Sequence, residues 1–295
     1  MPRYSALLSP LARGAYFGDT LAVARAELEA HALAAEHRSV GPFDFFDVST
    51  TDPALLARLS FIHGLFQNRE PLTVQPGFNL PEDLVFGQKY PGKTHEIVTQ
   101  LAINLALRFA KPGAKTLLDP MAGRGTTLAW ALRYGLNARG IEKDGSALDA
   151  FHAHVKKTTK LHRLKHKHDG GHVGKKGFGR FTRYTFGEST MQLINGGTRD
   201  AETLVGRQRF DLIVCDLPYG IRFSREHLDE VAEPWSARLK DTGAMVLIFN
   251  RYQPSRKALT ELFAPCGLIA TPFAAPHRMS ESIVRDLIVF TRQPT

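Results

Sequence analysis

The sequence predicts an α/β protein with a doubly wound, mostly parallel sheet of seven strands. Strand patterns and helix patterns alternate between residues 116 and 264, which is typical of a parallel sheet covered by helices on both faces. The last two strand patterns leave no room for a helix between them, so they predict an antiparallel pair at one edge. A glycine-rich turn between a strand pattern and a helix pattern (117–127) completes the evidence.

Residues 1–88 are predicted to form a small α+β region. The stretch FDFFDVS alternates as a strand does, whereas DTLAVARAELEAHAL and DPALLARLSFIHGLF place apolar residues near helical spacing. Asp-Pro is a good start for the second of these helices. We therefore expect one or two helices and at least one strand before the main domain.

Residues 89–295 are predicted to form the main domain. A loop and the helix EIVTQLAINLALRFA come first, and Ser146 is a plausible N-cap for the helix after the second strand. The predicted strands are TLLD (116–119), NARGIEKD, RFTRYTF, FDLIVCD, AMVLIFN, GLIATPFAAP and SIVRDLIVFTR. The helices between them are TTLAWALRYG, SALDAFHAHVKKTTKLHRL and QPSRKALTELFA.

Composition favours a cytoplasmic protein. In 295 residues, no run of eighteen apolar residues predicts a membrane helix, and the N-terminus has no long apolar core of the secretory kind. Cys215 and Cys266 lack metal-ligand spacing and imply no disulfide framework, which fits a reducing cytosol.

The positive charge is concentrated in one segment, residues 156–183. This basic segment holds ten Lys and Arg and one acid, Asp169, so its excess equals the +9 of the whole chain. Such a concentration predicts a phosphate-binding surface. Five glycines within it predict a mobile loop inserted into the domain.

The four histidines of the basic segment are predicted to have no role in a metal site, and the two tryptophans of the chain are predicted to have no role in a stacking site. His162, His166, His168 and His172 suggest a metal site, but no cysteine or acid cluster joins them beyond Asp169. We therefore expect a solvated basic arm and no metal. Trp130 and Trp235 are expected to be packing residues.

Two acids and two glycines favour a nucleoside site. Gly123 and Gly125 let a ligand approach the backbone where a helix N-terminus favours negative charge, although a purely structural turn fits as well. Glu142 ends the second strand, 23 residues after Asp119, where nucleoside-binding folds place an acid for the ribose hydroxyls. A surface acid beside Lys143 is the alternative.

The stretch FDLIVCDLPYGIRF places Asp216 at the carboxyl end of the fourth strand, followed by Pro218, Tyr219 and Gly220. Ligands bind at that edge of a doubly wound sheet. A plain turn needs proline and glycine but not the acid and the aromatic ring, so we interpret the stretch as a site.

The motifs DPMAGRGT, GIEKD and CDLPYGIR, preceded by YPGKTHEI, resemble class I S-adenosylmethionine-dependent methyltransferases that modify exocyclic amines. The resemblance is closest to the tRNA guanine-10 N2-methyltransferase group and its THUMP-bearing relatives, and it covers residues 88–292. Leu217 replaces the commoner second proline, and the chain before residue 90 is short for a THUMP domain with its linker.

The resemblance implies S-adenosylmethionine as cofactor and assigns roles to the motif residues. Asp119 would orient the loop and the methionyl amine, Glu142 would take the ribose hydroxyls, and Glu188 in FGEST would meet the adenine amine. The implied cofactor-binding residues are Asp119, Met121, Gly123, Gly125, Thr126, Glu142, Lys143, Glu188 and Asp216. The implied catalytic residues are Asp216, Pro218 and Tyr219, which would accept the amine N–H groups and stack the base.

We therefore expect N-methylation of guanine N2 in tRNA or another structured RNA. The expected RNA-binding residues are Lys156, Lys157, Lys160, Arg163, Lys165, Lys167 and Arg222. One alternative is an N-methyltransferase of a small molecule or peptide that retains the RNA enzyme's core, which the short N-terminus favours. Another is a binding protein with a degenerate pocket, against which the intact Asp119, Gly123, Glu142 and Asp216 argue.

Overall fold

A computed structural model describes residues 1–9, 19–88, 90, 93–174, 177–218, 225–280 and 283–292. The secondary structure, contacts and site geometry below concern these residues. Within these ranges, no helix combines the length and the apolar character that crossing a bilayer requires.

The N-terminal region contains a five-stranded antiparallel sheet with the strand order β2-β3-β1-β4-β5. Its elements in chain order are β1 (Arg3–Leu8), α1 (Thr20–Ala30), β2 (Ala35–Val40), β3 (Phe43–Ser49), α2 (Pro53–Arg58), β4 (Ile62–Gln67) and β5 (Glu70–Leu72). The first six form the split βαβ arrangement of ferredoxin-like folds. Strand β3 coincides with the predicted FDFFDVS.

The helix predicted over DPALLARLSFIHGLF is wrong in its second half. Helix α2 ends at Arg58, because Leu59 adopts an extended conformation with ψ 145°. The following residues form β4, which pairs with both β1 and β5. Ile62 and Phe66 are residue types that fit a strand as well as a helix, so strand pairing decided the outcome.

The main domain is built on a ten-stranded sheet with the order β13-β15-β12-β11-β6-β7-β10-β9-β8, and β14 pairs with β15 off this path. Its strands are β6 (Thr116–Asp119), β7 (Asn137–Glu142), β8 (Lys167–His172), β9 (Arg180–Phe186), β10 (Ser189–Asn195), β11 (Phe210–Asp216), β12 (Leu239–Asn250), β13 (Leu268–Ala270), β14 (His277–Ser280) and β15 (Ile283–Arg292). Its helices are α3 (Asp83–Phe86), α4 (Glu96–Phe109), α5 (Thr126–Arg133), α6 (Gly145–Leu161), α7 (Ala201–Val205), α8 (Arg225–Arg238) and α9 (Arg256–Phe263).

Five neighbouring strands, β10-β7-β6-β11-β12, are parallel and have the doubly wound order. The order reverses between β6 and β11, so a crevice is expected outside the carboxyl ends of these two strands. Separate hydrophobic clusters cover the two faces of the sheet. The antiparallel pair at the C-terminal edge is present as β13 and β15, but the sheet is mixed and larger than the seven strands expected.

The third parallel strand is β10, not the predicted RFTRYTF. The latter is β9, which runs antiparallel to β10 across a two-residue turn at Gly187 and Glu188. Gly187 has a φ of +57° at the first turn position, as two-residue hairpins with a leading glycine require. Because of this hairpin, Glu188 lies at the amino end of β10 and not at the carboxyl end of a parallel strand.

Much of the basic segment is regular structure and not the mobile loop expected. Its first residues complete α6, and β8 then pairs antiparallel with β9. These two strands extend the sheet beyond β10. Lys175 and Lys176, in the connection between them, lie outside the described residues. The N-cap of α6 is Asp144, whose carboxylate accepts the Ser146 amide N–H at 2.8 Å, so the assignment of Ser146 as the cap is wrong.

A buried polar network joins the N-terminal region to the main domain. The Glu27 carboxylate of α1 accepts the Ser60 amide and hydroxyl and the side-chain amide of Asn104 on α4. Asn104 in turn accepts the Tyr134 hydroxyl at 2.5 Å. Burial raises the pKa of Glu27 to about 7, and its hydrogen bonds oppose this shift.

The raised pKa predicts that acid stabilises the fold through Glu27. The native state binds this proton more tightly than the unfolded chain, so the contribution of Glu27 to stability falls as pH rises from about 4.5 to 7 and then levels. A shift of this size corresponds to an effect on the order of 3 kcal/mol. Glu27→Gln should reduce this pH-dependent loss of stability. Urea unfolding at pH 5 and 7.5 gives the free energies of unfolding that measure it. Asp119 titrates in the same direction and His31, whose pKa burial lowers to about 4, in the opposite one, so the result is the difference in pH dependence between the variant and the wild type. An unchanged pH dependence would contradict the assignment.

Candidate active site

The glycine turn after β6 is shaped by backbone geometry. Gly125 caps α5 with a φ of +81°, and a Cβ there would stand 2.6 Å from the Phe151 ring. A Cβ at Gly123 would meet nothing within 4 Å, so the turn has free space on that side. The Ala122 amide donates to the Ile141 carbonyl at 2.9 Å and ties the turn to β7.

Asp119, at the carboxyl end of β6, is a buried acid with an altered pKa. Burial raises its pKa to about 7, hydrogen bonds from Thr127 and the Met121 amide lower it, and the nearby charges of Asp216 and Glu142 raise it. The Met121 bond is 3.0 Å long. Asp119 therefore orients the turn, and its electrostatic surroundings favour a positive charge nearby.

Glu142 is fixed across the turn from β7. One carboxylate oxygen accepts the Gly123 amide N–H and the other accepts the Asp144 amide N–H, both at 2.9 Å. Each oxygen keeps a lone pair for a further donor. The carboxylate is thus pre-oriented beside the glycine turn and can accept further hydrogen bonds.

Asp216, at the carboxyl end of β11, is held by two side chains from distant parts of the chain. Arg285 of β15 donates to one carboxylate oxygen, and the Thr94 hydroxyl donates to the other. The side chain of Arg285 is 2% exposed and that of Asp216 is 17% exposed. The carboxylate therefore has a fixed direction and is still partly exposed at the carboxyl edge of the sheet.

Arg285 also lies near two histidines that burial keeps neutral. Burial lowers the pKa of His95 and of His277, and the positive charge of Arg285 lowers both further. Neither imidazole adds a positive charge beside Arg285 at neutral pH. The negative charge of Asp216 is consequently important for balancing the positive charge of the buried Arg285 guanidinium.

The segment before α4 covers the glycine turn. Arg124 lies over the Tyr90 ring at 4.6 Å, and Tyr90 hydrogen-bonds to Thr126. The Lys93 ammonium donates to the carbonyls of Val85 and Gln88 and to the Glu96 carboxylate. This lysine holds together the segment that carries Thr94 to Asp216.

Three carboxylates thus meet at the point where the strand order reverses. Asp119 and Glu142 end the neighbouring strands β6 and β7, and Asp216 ends β11 on the other side of β6. Cys215 is affected by all three charges, since burial and then these acids raise its pKa. A cationic ligand in the crevice would relieve this mutual repulsion.

The prediction that Glu188 contacts the adenine is wrong. Glu188 precedes β10 at the amino edge of the sheet and lines a cavity of about 530 Å³ with Leu80, Leu132 and Lys165. The carboxyl end of β10 carries Asn195, whose amide donates to the Glu142 and Lys143 carbonyls at 3.0 Å. Asn195 thus occupies the position at the carboxyl end of the third parallel strand that the sequence interpretation gave to Glu188, because β10 was not recognised.

The motif residues after Asp216 are described only in part. The Leu217 amide donates to the Ile248 carbonyl at 2.9 Å, which fixes the backbone from which Pro218 projects as an exposed residue. Tyr219 and Arg222 lie outside the described residues.

The predicted RNA-binding cations do not line the crevice. Helix α6 leads from the carboxyl edge towards the amino edge, and Lys156, Lys157 and Lys160 lie about 16–22 Å along it from its start. Arg163, Lys165 and Lys167 follow beyond the helix end. These six residues are exposed and form a surface remote from the glycine turn.

The histidines and tryptophans of the sequence analysis have identifiable contacts. His162 pairs with Asp83 at 2.8 Å, and His166 and His168 pack against Tyr184. No group of three potential ligand side chains within the described ranges is placed to hold a metal ion. Both tryptophans are buried packing residues, as expected, and their indole N–H groups donate to the Glu96 carbonyl and the Thr198 hydroxyl.

Comparison with solved structures gives similarity at low identity. A TehB-like SAM-dependent methyltransferase from Corynebacterium glutamicum is 14% identical with a TM-score of 0.40, over 62% of this chain and 83% of its own. TrmN from Thermus thermophilus is 14% identical with a TM-score of 0.43, over 89% of this chain and 60% of its own. An rRNA methylase from Streptococcus thermophilus is 12% identical with a TM-score of 0.44, over 68% of this chain and 98% of its own.

This chain therefore spans less than two thirds of the length of TrmN. No protein-family model matches the sequence, and no curated protein matches it significantly.

Proposed function

We propose that this chain is an S-adenosylmethionine-dependent methyltransferase that acts on an exocyclic amine, with guanine N2 of tRNA or another structured RNA as its substrate. The observation that carries the proposal is the meeting of Asp119, Glu142 and Asp216 around a glycine turn at the switch point of the sheet. Ligands of doubly wound sheets bind there.

The residues present fit this cofactor. Space beside Gly123 admits a methionyl chain, Glu142 presents oriented oxygens for ribose hydroxyls, and the neighbouring charges of Asp216 and Glu142 around Asp119 favour a cation. Asn195 borders the expected adenine side. When bound, S-adenosylmethionine supplies an activated methyl group on a positively charged sulfur.

The chain's own residues would position the amine. An aryl amine is a weak nucleophile because its lone pair is delocalised, and acceptors on its N–H groups favour a pyramidal nitrogen. Asp216 supplies a carboxylate whose direction Arg285 and Thr94 fix, and the backbone around Leu217 and Pro218 supplies a carbonyl. Orientation of this kind accounts for much of the acceleration in such reactions.

The positive charge of the basic segment supports RNA as the substrate. The exposed cations of the basic segment form a surface with few acids, suited to phosphates. Their distance from the crevice means that they would bind the body of the RNA while the target base reaches Asp216. The same distance favours the alternative, a small amine or peptide that never contacts them.

Cofactor binding tests the first part of the proposal. We expect S-adenosylmethionine and its demethylated product to bind at micromolar levels in calorimetry. Glu142→Ala should weaken binding by about 1–3 kcal/mol, because the ribose hydroxyls lose their acceptor. Glu188→Ala is the matched control and should leave affinity unchanged, since Glu188 lies at the opposite edge. Absence of heat with either ligand would refute the proposal.

A further inference from the structure

A column of aromatic and imidazole rings lies on the hairpin of β8 and β9. His168 packs at 4.7 Å from both His152 of α6 and Tyr184 of β9, and His166 stacks on Phe186 at 5.7 Å with an interplanar angle of 29°. Tyr184 and Phe186 are buried, whereas His166 and His168 are exposed. The column therefore presents imidazole rings to solvent on an aromatic base.

Hydrogen bonds fix these rings in place. The His166 Nδ1 donates to the Leu164 carbonyl at 2.9 Å, and the His168 Nε2 pairs with the Thr182 hydroxyl at 2.9 Å. The Tyr184 hydroxyl pairs with the His152 Nδ1 at 2.8 Å. Exposed histidines on an edge strand would otherwise sample several rotamers, so a partner that stacks on them loses less conformational entropy.

Cations surround the column. Lys165 lines a cavity together with Phe186, and the positive charge of Lys156 acts on His152, whereas Lys167 lies on the opposite face of β8 from His168. The acids nearby are paired, Asp169 with Arg183 and Asp149 with Arg180. Flat faces interleaved with cations are the combination that binds a single strand of nucleic acid, through stacking and phosphate contacts together.

We infer that His166 and His168 form a base-stacking platform for an unpaired stretch of RNA, with Lys156 and Lys165 on its phosphates. The inference rests on the proposed function only in taking RNA as the partner. The platform lies on the edge strand β8, four strand positions from the crevice strand β6, so it would hold a second part of the substrate. An acidic protein partner would bind the lysine side chains by charge and would not require the imidazole rings for stacking.

The test compares two oligomers of equal charge. Anisotropy with a labelled single-stranded RNA should show about 5- to 100-fold weaker binding by His168→Ala, the effect of losing one stacked base. An abasic oligomer of the same length should bind the variant and the wild type equally. His168→Phe should retain the affinity for the RNA, and His63→Ala, an exposed histidine on β4, should change neither.

Several outcomes would overturn the inference. Equal losses with both oligomers would mean that His168 acts through charge, and a loss below about twofold would mean that no base stacks there. Polyglutamate that competes with the RNA through the same histidines would identify an acidic protein as the partner. Binding is measured without turnover, so an enzyme that methylates no RNA and a platform that binds no RNA give different results.

Discussion

Asp216→Asn is expected to lower methyl transfer about 100-fold or more while cofactor affinity stays within about threefold of wild type. The substitution keeps the shape of the side chain and one oxygen that can accept from Arg285, but it removes the charge that receives the amine. Because the same charge compensates the buried Arg285 guanidinium, some loss of stability is expected as well, and unfolding is measured alongside. Single-turnover rates with saturating substrate and calorimetry with the cofactor measure the two quantities separately.

The matched control for this prediction is Asp211→Asn. Asp211 begins the same strand at the opposite edge, where it accepts from Thr116 and Lys240, so its loss should affect stability and not the chemical step. Asp216→Ala is a less clean test, because it removes the hydrogen-bond acceptor of the buried Arg285 as well as the charge, and should destabilise the fold by about 3–5 kcal/mol. A rate above about a tenth of wild type in Asp216→Asn would refute the assignment, since tenfold is only about 1.4 kcal/mol of barrier.

Replacement of the six cations Lys156, Lys157, Lys160, Arg163, Lys165 and Lys167 with Ser is expected to flatten the salt dependence of tRNA binding. Counterion release gives a slope of log K against log salt of about −0.7 to −0.9 per phosphate neutralised, so four to six contacts predict roughly −3 to −5 for the wild type. The variant should lose about half of this slope or more. Cofactor affinity should not change, because these residues are remote from the glycine turn.

A second variant controls for total charge. It replaces six exposed cations outside the segment, namely Arg3, Arg69, Lys111, Lys115, Arg207 and Lys257. This variant should keep most of the slope if the binding surface is the basic segment. Equal slopes for the two variants would show that the protein's overall charge, and not this surface, attracts tRNA.

The acids at the carboxyl edge could be predicted because local sequence specifies them. Asp119 and Asp216 each follow apolar residues that are buried in the sheet, Glu142 ends the strand between two helix patterns, and parallel strands bring these carboxyl ends to one edge. The turn glycines could be predicted for the same reason, since positive φ at Gly125 is a local requirement. Strand bounds such as those of β6 therefore agreed with expectation.

Contacts between distant segments could not be predicted in this way. Arg285 and Asp286 interrupt an apolar strand, which signals buried charges that need partners, but nothing in the sequence identifies Asp216 or Arg256 as those partners. Thr94 lies 122 positions from Asp216. The β9–β10 hairpin was missed although its turn had a recognisable glycine. Only one strand was expected in this part of the chain, and RFTRYTF already accounted for it.

The central claim, methylation of an amine in RNA, is tested most directly by mass spectrometry of nucleosides. Transcribed tRNA, which carries no modification, is incubated with the protein and a cofactor bearing a deuterated methyl group, then digested. The account predicts a single labelled nucleoside, N2-methylguanosine, that is absent with Asp216→Asn. RNA that stays unlabelled while the protein consumes the cofactor with a small amine or peptide would contradict the RNA claim and establish the alternative substrate.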